Sequence, residues 1–441
     1  MIGPTDGPLL LWGVGATNRA VAAALGRRGW EFIAVDDAPA PEAQQAMADA
    51  GGVLHPEPSS TEELAALMRR CGAFLPTPGL ADGHRAMRAA ATAGTVILSE
   101  FDLAAAWDDR PIVAVTGTNG KTTVTTLVAA ALRRSAGAVA AGNNELPLVA
   151  AIEDPAPATF VVEASSFRLA RSRCFRPQVA AWLNFAPDHL DVHVSVEAYA
   201  EAKAAVWRHL GPDDTAVVNE KDPVVSARRP SGRQLGFGTA SSDAAVLDGS
   251  IWLCGETLVE VARLPRRFPH DLHNACAAAA CATAAGAAAA DTRAALESFR
   301  GLPHRLELVA QTEANRWYDD SKATTPDAVL AAAGAFESVV LIAGGRNKGL
   351  DLRRLAGAAS VRAVVAIGEA AGEVCGAFAG DRPVHRATNM EGAVAVAAEL
   401  ARRGEAILLS PGCTSFDWYG SYQQRGEHYA SVVRAAVGEE A

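Results

Sequence analysis

The sequence predicts an α/β protein of three domains: a Rossmann-like N-terminal domain, a central P-loop domain on a mainly parallel sheet, and a Rossmann-like C-terminal domain. Three observations predict it. Short apolar runs ending in glycine-bearing turns alternate with helical stretches along the 441 residues, which is the rhythm of parallel sheets. Residues 113–123 read as buried strand, glycine turn and helix start, with a lysine and a hydroxyl in register. The chain is also too long for one hydrophobic core.

In the first domain, placed at 1–106, residues 9–12 form a strand. A turn with Gly13, Gly15 and Asn18 follows, then a helix at 19–28. A second strand at 30–35 ends at Asp36 and Asp37, opening a Rossmann-like unit. Asn18 stands where a third glycine of G-x-G-x-x-G would be, so the turn suits a dinucleotide site or a plain strand-to-helix connection. Residues 73–80, with Thr77-Pro78-Gly79, form a strand end and loop, and 96–99 a late strand.

The second domain, 107–302, opens with the phosphate loop. Strands at 159–163, 179–184 and 215–219 alternate with helices. Residues 246–262 alternate in polarity and suit short antiparallel strands. The alanine-rich run 275–290 reads as a packed helix, too weakly apolar to span a bilayer. Gly301-Leu302-Pro303 marks the next boundary. In the third domain, 303–441, strands are expected at 317–319, 339–343, 361–367 and 406–409, the last before Ser410-Pro411-Gly412. Active residues of such sheets gather at strand carboxyl ends.

A hydrophobic content of 49% suits a globular chain, and a net charge of −10 argues against a nucleic-acid surface. The seven cysteines form no C-x-x-C pair and are odd in number, so reduced thiols in the cytoplasm are expected. Residues 1–8 lack a basic stretch, so no signal peptide is read.

The phosphate loop carries the strongest chemical signal. Backbone N–H groups of Gly117, Thr118, Asn119 and Gly120, with the helix start at Lys121, Thr122 and Thr123, would cradle an anion. Lys121 would reach outer phosphates and the Thr122 hydroxyl would meet Mg²⁺. Val115 stands where the standard loop has its first glycine, so this is a shorter variant. Glu163 ends a strand and suits either a Mg²⁺ ligand or a helix N-terminal carboxylate. His189, between Asp188 and Asp191, suits a structural role or a metal or phosphate role. Lys203 by itself reads as a solvated helix lysine. Arg305 and Lys322, the latter in a run with Asp320, Ser321 and Thr324, would clamp a transferring phosphoryl group, or else are two surface charges with one paired to Asp320. Lys348, Ser415 and Tyr422 offer cation, hydroxyl and phenol, a set fit for a small dicarboxylate.

These motifs carry a resemblance. Thr-Gly-Thr-Asn-Gly-Lys-Thr-Thr at 116–123, Glu-Ala-Ser-Ser-Phe at 163–167, Asp-His-Leu-Asp at 188–191, Leu-Pro-His-Arg-Leu-Glu at 302–307, Asp-Ser-Lys-Ala-Thr at 320–324 and the segment 410–426 stand in order. From about residue 9 to residue 430 the chain resembles the ATP-dependent Mur ligases of peptidoglycan synthesis, in particular the branch that adds D-glutamate to UDP-N-acetylmuramoyl-L-alanine. The resemblance implies that Lys121 and Thr122 bind ATP phosphates and Mg²⁺, with Glu163 a further magnesium ligand. It implies a second magnesium at His189 and Lys203, with Lys203 carbamylated by CO₂. Asn274, Arg305, Asp320 and Lys322 match ATP-site positions. Asn143 and His189 match the muramoyl end of the acceptor, and Thr17 and Asp36 its uridine end. Thr324, Lys348, Ser415 and Tyr422 match the glutamate pocket. Lys121, His189, Lys203, Arg305 and Lys322 form the catalytic group by the same similarity. The implied reaction phosphorylates the alanyl carboxylate to an acyl phosphate, which the glutamate amine attacks. A cytoplasmic monomer with no nucleic-acid or membrane partner is implied.

Five positions depart from the family pattern: Glu145 beside the substrate path, Asp271 near the adenine, and Thr414, Phe416 and Tyr422 around the glutamate pocket. The alternatives are an L-glutamate-adding ligase on the same acceptor, a folylpolyglutamate synthase-like ligase, an oxidoreductase resting on Gly13, Gly15 and Asp36, and a silent nucleotide-sugar binder.

Overall fold

Four consecutive buried apolar residues, Leu9–Trp12, make the first strand (β1), packed on both faces. The computed structural model describes residues 7–143, 146–189, 192–380 and 382–438; Glu145 and Asp191 lie outside them. The chain divides into two compact units, the first Met1–Arg267 with Asp271–Phe299, the second Phe268–His270 with Arg300–Ala441.

The first unit holds two sheets. In one, β1 joins β2 (Phe32–Val35), β3 (Val53–His55), β4 (Ala73–Pro76) and β5 (Val96–Ile97) in the order β3-β2-β1-β4-β5, all parallel. The order reverses between β1 and β4, so the loops after these strands flank a crevice at their carboxyl ends. The loops touch: a Cβ built on Gly13, whose φ is +77°, would lie 3.1 Å from Thr77. The first helix is Ala16–Arg27, three residues earlier than expected, because the turn is completed by Gly15. The expected strand at 96–99 shortens to two residues. Ser99 instead caps the helix Glu100–Trp107 in a reciprocal bond with Asp102. That helix sends Phe101 into one core and Leu103 into the other, and Trp107 packs edge-on against Trp30 at 5.4 Å.

The second sheet contains β6 (Ile112–Thr116), β7 (Val139–Gly142), β8 (Phe160–Glu163), β9 (Val179–Trp182), β10 (Thr215–Asn219), β11 (Arg233–Phe237), β12 (Ala244–Leu247), β13 (Ser250–Leu253) and β14 (Glu256–Glu260). Its order is β14-β13-β12-β11-β10-β9-β6-β8-β7. It is parallel from β7 to β12 and antiparallel from β12 to β14, as the alternation at 246–262 predicts. The alanine-rich run is two helices, Pro269–Ala284 and Ala289–Ser298, since Gly286 at φ +86° ends the first. Residues 275–282 of the first are all buried. Their small side chains pack in one core with Val124, Leu127, Val128 and Leu132 of the helix Lys121–Ala136.

The second unit has one sheet: β15 (Glu307–Gln311), β16 (Arg316–Asp319), β17 (Val339–Gly344), β18 (Val361–Ile367), β19 (Val384–Arg386) and β20 (Ala406–Gly412), in the order β15-β16-β20-β17-β18-β19. Only β15 runs antiparallel to its neighbour. Ser410-Pro411-Gly412, expected as loop, continues the buried strand β20, with Gly412 paired to Gly344.

All seven cysteines are free thiols. Burial pushes Cys71 up to about 11, and Cys276, Cys281 and Cys413 to about 12. Among the described residues no helix is long and apolar enough to cross a membrane.

Candidate functional site

β6 ends at Thr116, and Gly117 (φ +156°) and Gly120 (φ +85°) let the chain turn into the helix Lys121–Ala136. The loop is tied from the next strand's end. Asn184 accepts from the Asn119 N–H at 2.8 Å and donates back to the Asn119 carbonyl at 3.0 Å. The Thr118 hydroxyl exchanges hydrogen bonds with Ala186 at 3.0 and 3.1 Å. Lys121 Nζ donates to the Gly117 and Thr118 carbonyls at 2.9 and 3.0 Å. Asn274 stands over the loop: a Cβ on Gly120 would lie 2.5 Å from its Oδ1. Thr122 is half-buried and Thr123 buried at the helix start.

Lys203 is not solvated. It sits at the end of the helix Val196–Ala204, 1% exposed, donating to the Gly117 carbonyl at 2.7 Å and lying 4.5 Å from the Tyr199 ring. Burial, then the Lys121 charge, holds its amine well below the usual lysine range. Glu163 closes β8 and is 4% exposed. Its Oε1 accepts from Asn143 Nδ2 at 3.3 Å, while Oε2 is buried with no hydrogen-bond partner among the described residues. A buried carboxylate oxygen without a donor is the feature a hard cation satisfies. His189 adopts φ +55° in the loop after β9, 3.3 Å from Asp188 and edge-on to Phe167 at 4.8 Å.

Two arginines on the short helix Ser166–Arg171 join the halves of this unit. Arg168 reaches Thr17 of the first sheet's crevice, and Arg171 donates to the carbonyls of Thr77, Pro78 and Leu80. Asp36 follows β2 and accepts from Val14 N–H at 2.8 Å and Ala38 N–H at 3.1 Å, bracing the glycine turn. Sequence reading missed both arginines. It also missed His193, which is 3% exposed, bonded to Ser166 at 2.9 Å and stacked on Phe167.

The second unit assembles its own cluster. Arg425, 1% exposed, donates to the Ser321 hydroxyl and carbonyl at 2.9 and 2.8 Å and to the Cys413 carbonyl at 3.2 Å. Burial lowers its guanidinium to about 10. Ser321 in turn donates to the Tyr422 carbonyl, and Lys322 Nζ lies 3.8 Å over the Tyr422 ring. Arg346 and Thr414 exchange backbone hydrogen bonds at 3.0 Å, which brings the half-buried Lys348 loop beside the segment carrying buried Ser415. Thr324 is half-buried after the Asp-Ser-Lys turn. Arg305 follows His304, whose ring is fixed to Asp319 at 2.6 Å; that bond keeps the imidazole charged to higher pH. The His304–Asp319 pair was legible only as neighbours in two motifs.

Asp320 is buried and not at the surface, accepting from Ser410 Oγ at 2.8 Å and Leu306 N–H at 3.3 Å. Burial pushes its carboxyl up to about 7. Between about pH 4 and 7 the folded chain therefore holds a proton that the unfolded chain has released. The contribution of this group to stability is greatest below about pH 4 and falls by about 4 kcal/mol as pH rises to 7. Asp320→Asn is expected to flatten that slope in denaturant unfolding between pH 4 and 8.

Residues 115–282 match the family of Mur ligase middle domains, and residues 304–413 the Mur ligase, glutamate ligase domain. Over 96% of both chains, the sequence is 34% identical to the UDP-N-acetylmuramoylalanine–D-glutamate ligase of Nitrosococcus oceani. It is 38% identical to the protein of that name from Frankia casuarinae, over 98% of this chain and 94% of that one. Among solved structures it is similar to a MurF ligase from Thermotoga maritima in complex with ADP, with TM-score 0.62, 14% identity and all of both chains covered. It is also similar to a pseudomurein peptide ligase type C from Methanothermus fervidus, with TM-score 0.60, 16% identity and coverage of 98% and 100%. At these identities the structures speak for the fold alone.

Proposed function

The chain belongs to the Mur ligase family, and from that premise we propose that it joins D-glutamate to UDP-N-acetylmuramoyl-L-alanine, splitting ATP to ADP and phosphate. The observation that carries the reading is the convergence on one loop of Lys121, Lys203 and Asn274, with Glu163 ending β8, two strands' width from β9. We read residues 1–106 as the nucleotide-sugar domain, 107–302 as the ATP domain and 303–441 as the glutamate domain, in a cytoplasmic monomer.

The residues fit Mg²⁺. Thr122 and Glu163, through the Oε2 that has no partner among the described residues, would hold one ion, and His189 with a carbamylated Lys203 another. When bound, Mg²⁺ offsets the charge of the phosphates and the acceptor carboxylate, which otherwise repel. Lys203 suits carbamylation because burial favours the neutral form of its amine, and the neutral nitrogen is the form that attacks CO₂. A C–N bond forms and the nitrogen loses a proton, which turns the neutral amine into an acceptor anion.

The loop N–H groups and Lys121 orient ATP and draw charge from its outer phosphates. Lys121 must then leave the two loop carbonyls that it bonds in this structure. An oxygen of the alanyl carboxylate attacks the terminal phosphorus, and ADP departs. The glutamate amine attacks the acyl phosphate carbon, and the tetrahedral intermediate expels phosphate. Arg305 and Lys322 stabilise charge on the transferring group, with Asp320 beside them at the nucleotide. Thr324, Lys348, Ser415 and Tyr422 bind glutamate. Thr17, Asp36 and Asn143 hold the acceptor.

Phosphate release from ATP with UDP-N-acetylmuramoyl-L-alanine tests this, comparing D- with L-glutamate. Release with the D isomer is expected. Release with the L isomer alone would replace the reading by the L-glutamate-adding branch, and release with neither would overturn it. Lys348→Ala is expected to raise KM for glutamate about 10-fold or more, with KM for ATP within about two-fold. An unchanged glutamate KM would move the pocket elsewhere.

A further inference from the structure

Arg168 is 5% exposed and divides its guanidinium among three parts of the first unit. Nε meets Glu100 Oε1 at 3.1 Å, Nη1 donates to Asn143 Oδ1 at 2.7 Å, and Nη2 donates to Thr17 Oγ1 at 2.8 Å. Glu100 is 1% exposed, and its other oxygen accepts from the Val149 N–H at 3.0 Å. The ion pair is therefore buried and held at both ends.

Its consequence lies in hydrogen placement. A guanidinium only donates. The Asn143 carbonyl is thus committed to Arg168, which turns the amide nitrogen toward Glu163 Oε1 at 3.3 Å. Thr17 Oγ1 likewise accepts from Arg168, so its own hydrogen turns away from the guanidinium, where an acceptor oxygen of a ligand can take it. Arg171, one turn along the same helix, bonds loop carbonyls and none of these side chains. Tethering the two halves does not by itself require Arg168.

We propose that Arg168 is a positioning residue that sets the polarity of the acceptor-substrate site. It holds Thr17 as a donor to an acceptor oxygen of the nucleotide sugar, and Asn143 as a donor to Glu163. This deepens, and rests on, the reading of Thr17 and Asn143 as acceptor-binding residues.

The test uses the full chain and UDP-N-acetylmuramoyl-L-alanine as probe, titrated calorimetrically without ATP. Removing Arg168 alone would strand a buried carboxylate, so the first variant is the double substitution Glu100→Gln with Arg168→Met. Replacing a buried ion pair by neutral groups of similar volume is near-neutral for stability. The double variant is expected to fold with a Tm near wild type and to bind the nucleotide sugar about 10- to 100-fold more weakly, KM for ATP changing less than about two-fold. Arg168→Lys keeps the charge but not the planar fork, and is expected to restore stability without affinity. Thr17→Val, which leaves the ion pair intact, is expected to lose about 10-fold in affinity. Affinity within two-fold of wild type in Thr17→Val, or in either folded Arg168 variant, would overturn the proposal. A wild-type chain that does not bind this nucleotide sugar would overturn the parent reading instead.

Discussion

Lys203→Ala is expected to abolish turnover, by about 10³-fold or more, equivalent to roughly 4 kcal/mol of transition-state stabilisation. The side chain is buried and lies over the loop that would hold the nucleotide, bonded to Gly117. A lysine in that setting has no solvent to stabilise its charge, and Lys121 nearby disfavours it further. The carbamate reading converts this misfit into a ligand. It also gives the experiment a second arm: millimolar formate or acetate is expected to restore part of the rate to Lys203→Ala, because a free carboxylate can occupy the vacated volume. Lys203→Met, similar in length but unable to carbamylate, is expected to keep Tm and lose activity equally. Turnover close to wild type in either variant would refute the metal-ligand role. Loss without any rescue would leave Lys203 as a loop brace.

Gly120→Ala is expected to reduce kcat/KM for ATP by about 100-fold, roughly 3 kcal/mol. Two costs add. The backbone sits at φ +85°, where an L side chain is strained by about 1–2 kcal/mol. The new methyl would also stand 2.5 Å from Asn274 Oδ1 and 3.3 Å from Leu183. Relief requires moving Asn274 off the loop or the loop off the strand end, and either displaces groups assigned to ATP. The double variant Gly120→Ala with Asn274→Ala should recover the stability lost to the clash but neither the part lost to backbone strain nor the ATP affinity. An ATP KM unchanged in Gly120→Ala, read from coupled ADP release, would remove this loop from the nucleotide site.

The phosphate loop was legible because its signal is local: strand, glycines, lysine and hydroxyl fall within eleven residues. The buried strands β1, β6, β10 and β18 were legible for the same reason, each holding an unbroken apolar run of at least three residues. What escaped was marginal or non-local. β3, at a sheet edge, is three residues with two exposed, β7 is Val-Ala-Ala-Gly, and β11 begins with exposed Arg233 and Gln234, so none carries a strand-like pattern. Nothing near Arg168 in sequence distinguishes it from a surface arginine. Its partners lie 25, 68 and 151 residues away. Lys203 looked solvated for the same reason: its contact with Gly117 spans 86 residues, and only the sheet order creates it. Asp320 was read beside charges, but the strand that extends through Ser410 supplies a hydroxyl and seals it from water.

The thiols give the molecule an internal clock. A group titrating near 12 is ionised in about one copy in 10⁴ at pH 8, so alkylating reagents reach it through opening of the surrounding structure. Cys174 and Cys254 are exposed and should react first. Cys276 and Cys281, packed in the core beneath the phosphate loop, and Cys413, in the second unit, then time the breathing of two different cores in one mass-spectrometric experiment. Slowing of the first pair alone on adding nucleotide would identify, without any assay of turnover, which core the ligand tightens.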